Sequence, residues 1–177
     1  AGVDGLYFFN LFDPTLSIYR EAGDPVLLAQ RNRIHFASAR SEGGAAWRHP
    51  NHYRYRNVPI LSPHRAVGGP ISLRREVVEV PVDVAGRLPA GARVELRLPL
   101  TGVTDPGHIA VRWNGEWLAT GEWLKGVLRL PLRPEQVRAV GNAAGVVLAG
   151  VNDMGATWED LQVWVAANGD LKHMEQS

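Results

Sequence analysis

Cysteine is absent from the sequence, so neither a disulfide framework nor a thiolate metal site is available to it. That absence leaves the compartment open, because secreted domains also fold without disulfides. There is no run of about 18 apolar residues, and hence no segment that reads as a transmembrane helix. No basic-then-apolar leader pattern opens the chain. Lysine is nearly missing: Lys125 and Lys172 stand against 17 arginines, which reads as a GC-rich coding bias and not as a functional signal. Acidic residues are missing from one stretch. Between positions 26 and 75 there are nine arginines (31, 33, 40, 48, 54, 56, 65, 74 and 75) and a single acid, Glu42. That stretch carries +8 and the rest of the chain −7, within a net charge of +1. The whole-chain charge points to no polyanionic partner, but the two parts differ in character.

What is present is ordinary for a folded protein. The chain has 177 residues, 45% of them hydrophobic and 21% charged, enough for one domain or one domain and part of another. It opens on Ala1 without an initiator methionine, and Gly5 to Asn10 is already a continuous apolar run. Such a run suits a strand covered on both faces, as in a parallel sheet. Asp13-Pro14 is a turn signal. Leu16, Tyr19 and Ala22 then fall at helical spacing, Gly23-Asp24-Pro25 interrupts, and Pro25 to Arg33 reads as a second short helix. Ile34 to Ala37 reads as extended. Strand, loop, helix is the grammar of one α/β unit, which cannot bury its own strand.

Residues 39–70 hold many Gly, Pro, Asn and Ser and keep no period, so they read as an irregular linker. From Ile71 the pattern is all-β. Val78, Val80, Val82 and Val84 alternate, as do Val94, Leu96, Leu98 and Leu100. Ile109, Val111 and Trp113 follow, then Leu128, Leu130 and Leu132, then Leu161, Val163 and Val165, with a more continuous apolar run over Gly145 to Val151. Asn114-Gly115 is a strong hairpin signal, because both turn positions favour positive φ. Further breaks fall at 88–91, 104–107, 121–126 and 141–142, and Arg133 to Val140 reads as one helical turn. Seven or eight short strands at this spacing predict an antiparallel β-sandwich over residues 71–168, with a polar, frayed and flexible tail at 169–177.

The stretches DGLYFFNLFDP and REAGDPVLLAQRNRIHF resemble the end of the (β/α)8 barrel in bacterial glycoside-hydrolase-like proteins of the family-10-like group. Gly2, Asp4, Gly5, Tyr7, Phe9 and Asn10 match the eighth barrel strand of that group, and Arg20, Glu21, Gly23, Asp24 and Pro25 match the helix behind it. LRLPLRPEQVRAVGNAAGVVL resembles a signature of the jelly-roll or galactose-binding-like accessory domain that follows such barrels. The resemblance implies a mainly β chain in which residues 1–38 are a truncated α/β segment from the end of the barrel, with further barrel strands upstream. It also implies an extracellular or periplasmic parent protein.

Glycosidases need a carboxylate pair, about 5–5.5 Å apart for retention or about 6.5–9.5 Å for inversion. In the family resembled, the acid and the nucleophile sit near the fourth and seventh strands, so no catalytic residue is assigned to this chain and it alone is expected to hydrolyse no glycoside. The resemblance places Asn10, Phe12 and Asp13 on the rim after the eighth strand, where Asn10 would donate to a sugar hydroxyl and Phe12 would form a platform. Alternatively, Asn10 and Asp13 shape the turn and cap the next helix.

Trp47, His49, His52, Tyr53 and Tyr55 form the most chemically dense stretch. Trp47, His52 and Tyr53 are candidates to line a sugar subsite. The alternative is that they pack the barrel against the sandwich. His49, His52 and His64 have neither the spacing nor the Asp or Cys companions of a metal site, and no cofactor is expected. Arg interleaved with aromatics also suits nucleic acid, but no motif accompanies it and nucleic acid is not the expected partner. In the sandwich, Trp113 shares its strand's apolar face and is expected in the core. Trp117 and Trp123 flank the hairpin and are candidates to stack on a sugar, against the alternative of burial. Carbohydrate and the upstream barrel are thus the expected partners. The competing reading is a non-catalytic carbohydrate-binding or adhesion module, or a purely structural domain.

Overall fold

The structure is a computed structural model that describes residues 24–38, 71–84, 86–149 and 155–174. The expected barrel strand at 5–10 and the linker at 39–70 lie outside the described residues. A short helix, α1 (Pro25–Ala29), opens the described part. Asp24 caps it: Oδ1 accepts from Val26 N at 2.8 Å and Leu27 N at 3.1 Å, and Pro25 takes the first position, where no N–H is needed. The helix ends at Ala29, short of the expected Arg33, which begins a strand.

The strands are β1 (Arg33–Ser38), β2 (Ile71–Ser72), β3 (Val78–Val82), β4 (Arg93–Thr101), β5 (Ile109–Trp113), β6 (Glu116–Trp117), β7 (Glu122–Leu124), β8 (Val127–Leu132), β9 (Asn142–Leu148), β10 (Thr157–Trp158) and β11 (Asp160–Ala166). Among the described residues they form two antiparallel sheets. The larger sheet centres on β4. Its one side carries β8 and then β7, and its other side carries β11 and β10, which pair in turn with β1 and β2. The smaller sheet has the order β3-β9-β5-β6. The expected mainly β architecture with antiparallel sheets is what forms.

Alternation built the core. Val94, Leu96, Leu98 and Leu100 are all buried, as are Leu128, Leu130 and Leu132 from β8 and Leu161, Val163 and Val165 from β11. The smaller sheet answers with Val80, Val82, Val111, Trp113, Ala144, Val146 and Leu148. Each fully buried apolar side chain contributes about 1.5–3 kcal/mol relative to exposure. The buried indoles keep their N–H groups satisfied: Trp113 Nε1 donates to Gln136 O at 2.9 Å and Trp158 Nε1 to Asp160 O at 2.8 Å.

Three expectations need correcting. Residues 33–38 belong to the sandwich and not to the α/β segment: β1 pairs antiparallel with β11 from Arg33↔Val165 to Ser38↔Asp160. The break at 121–126 contains the strand β7, joined to β8 by Lys125 and Gly126 at φ 51° and 81°. The tail holds a helical turn, α2 (Leu171–Met174), which Asp170 caps by accepting from Lys172 N at 3.0 Å. The expected turn after Arg133 is a short 3₁₀ helix, Pro134–Gln136.

Candidate functional site

The hairpin from β5 to β6 turns on Asn114 and Gly115, both in the left-handed region at φ 52° and 89°. Two such residues make the turn whose twist matches the strands beside it. Its register sets Trp113 opposite Glu116 and Arg112 opposite Trp117. Since Trp113 is in the core, Arg112 and Trp117 face outward. The hairpin is fixed from behind. Asn114 Nδ2 donates to Gln136 O at 2.8 Å and to Asn142 Oδ1 at 3.1 Å, and its Oδ1 accepts from Ala143 N at 3.0 Å. Buried Asn142 in turn accepts from Arg138 N at 2.8 Å and donates to Arg138 O at 2.7 Å.

One row then crosses the outer face of the smaller sheet. Trp117 pairs with Arg112, Arg112 with Gly145, and Gly145 with Glu79. Arg112 lies across Gly145 and its Nη2 reaches Glu79 Oε1 at 2.8 Å. Only glycine leaves room for it: a Cβ at position 145 would stand 2.7 Å from Arg112 Cγ and 2.9 Å from Val77 Cγ1. The pairs Ala110–Val147 and Ala143–Pro81 flank the row. Trp117 is 58% exposed. The face therefore offers an open indole, a guanidinium held flat and a carboxylate on a floor of mostly small side chains. An indole face accepts a flat C–H surface, and the charged pair supplies donors and an acceptor for hydroxyl groups.

The outer face of the larger sheet carries similar residues in another arrangement. Arg97 stacks on the Trp164 ring, 3.7 Å from its centroid, and its Nε donates to Glu95 Oε1. Trp164 Nε1 donates to Gln162 Oε1 at 2.8 Å. Arg97 is only 5% exposed although it lies on the outward side of β4.

Trp117 and Trp123 are not brought together. Trp117 stands in the smaller sheet, while Trp123 lies on β7 of the larger one, opposite buried Leu128, and packs partly buried against the core. Asn10, Phe12, Asp13, Trp47, His52 and Tyr53 lie outside the described residues, as do His49 and His64. Arg112, Glu79 and Gly145 were not among the expected site residues. Alternation alone places Arg112 and Glu79 outward, between Val111 and Trp113 and between Val78 and Val80, but their meeting over Gly145 depends on register across three strands. Among the described residues, no group of three His, Asp or Glu side chains is placed to hold a metal ion. No family model matches the chain, and no curated protein matches it.

Proposed function

We propose that this sandwich is the accessory domain of a bacterial glycoside-hydrolase-like protein, of jelly-roll or galactose-binding-like kind, and that it contacts carbohydrate through the outer face of its smaller sheet. The resemblance of residues 2–25 to the end of a family-10-like barrel supports the first part. One observation carries the second: Trp117 stands 58% exposed beside the flat Arg112–Glu79 pair. On this reading the chain binds glycan without cleaving it, and hydrolysis belongs to carboxylates on the barrel. The test is depletion of the whole chain from solution by insoluble cellulose, xylan, mannan and chitin. At least one polysaccharide should retain it, and Trp117→Ala should weaken that retention by about 2 kcal/mol or more, roughly 30-fold. Equal retention of both proteins would refute the assignment.

A second reading is a purely structural domain. The burial of Arg97 against Trp164 favours it, since stacked Arg and aromatic side chains are typical of interfaces. Failure of every polysaccharide to retain the wild-type chain would select it.

A further inference from the structure

The edge strand β1 breaks the rule followed by the rest of the larger sheet. Its register sets Arg33 opposite Val165 and His35 opposite Val163, and both valines are fully buried. Paired residues share a face, so Arg33 and His35 are directed into the sandwich while Ile34, opposite Trp164, is 44% exposed. Nε and Nη2 of Arg33 and Nε2 of His35 are buried and have no hydrogen-bond partner. A buried donor left unpaired costs about 1–3 kcal/mol.

Among the described residues, no acid faces these groups from the strands packed on them. On β11 the inward side chains are Leu161, Val163 and Val165. β3 also lies against β1, and it presents Val78, Val80 and Val82. Glu79 points to the opposite side and is paired with Arg112, and exposed Asp83 accepts from Gly141 N at 3.1 Å. Asp160 alternates with Leu161 and so belongs to the outer face. The nearest charge on β1 itself is Arg33, on the same side as His35 and two residues away.

We propose that β1 is an acid-released latch: it closes the edge of the larger sheet while His35 is neutral, and protonation of His35 beside Arg33 frees it from β11. Burial holds the His35 imidazole below its ordinary value, and the Arg33 charge acts in the same direction. The sign follows from linkage. The released strand takes up the proton first, so the closed state has its full stability above about pH 6.5, loses stability as the pH falls below that value, and levels off once the closed form is protonated too. Release would also uncouple α1, because β1 and the bond from Ala167 N to Asn32 Oδ1, at 2.9 Å, tie that end of the chain to the sandwich. The latch is independent of glycan binding at Trp117.

Hydrogen exchange of the whole chain at about pH 7.5 and about pH 5, corrected for intrinsic rates, tests it. Amides of 33–38 should exchange several-fold faster at the lower pH, while those of β4 hold. In His35→Leu that pH response should vanish. Unchanged protection of β1 in the wild type, or the same acid response in His35→Leu, would overturn the proposal. If the variant does not fold, an NMR titration of His35 in the wild type decides: a midpoint below about 6.5 upholds the latch and one at or above it refutes it.

Discussion

The two outer faces of the sandwich use the same pair of residue types to opposite ends. On the larger sheet, Arg97 is buried, stacked on Trp164 and bonded to Glu95, and Trp164 spends its N–H on Gln162. On the smaller sheet, Arg112 is drawn away to Glu79 across Gly145, and Trp117 stands open at the edge. Strand position explains the contrast. β4 lies inside its sheet, with neighbours on both sides to surround Arg97. β6 is a strand of two residues at the end of its sheet, and among the described residues no further strand pairs beyond Trp117. An Arg and a Trp thus make a fixed structural cluster in one place and an accessible platform in the other.

Substitutions sharpen that contrast. The largest effect is expected from Arg97→Ala, which strands the Glu95 carboxylate and strips the Trp164 face; urea unfolding should show a loss of about 3 kcal/mol. A loss under about 1 kcal/mol would mean that the cluster is not structural. Next comes Asn142→Ala. It orphans Arg138 N and O behind the hairpin, and the same measurement should register about 2–3 kcal/mol. Gly145→Ala forces Arg112 off its path and should cost about 1 kcal/mol. A neutral outcome there would show that Arg112 does not need the strand surface beneath it. Smallest is Trp117→Ala, whose midpoint should stay within about 0.5 kcal/mol of wild type because the ring is mostly solvated.

The sandwich was legible where one rule decided it. Val94 to Leu100 alternate cleanly because β4 puts its apolar side chains on one face, the buried one, and Asn114-Gly115 announces its hairpin through backbone sterics. β7 escaped notice for two reasons: three residues are too short for a period, and Lys125 is not a residue type that signals positive φ. The membership of β1 in the sandwich was hidden because its inward positions are Arg33 and His35, which invert the expected pattern. At the candidate site, Trp117 could be read as a surface aromatic. Its partners Arg112 and Glu79 could not, since no local pattern encodes the register that aligns them over Gly145.

The most direct test of the account compares the two faces on one polysaccharide that retains the wild-type chain. Binding isotherms would be measured for folded Trp117→Ala and folded Trp164→Ala. The account predicts that the first loses affinity by about 30-fold and the second keeps it. Retained affinity in Trp117→Ala, with loss in Trp164→Ala, would place the contact on the larger sheet and contradict it.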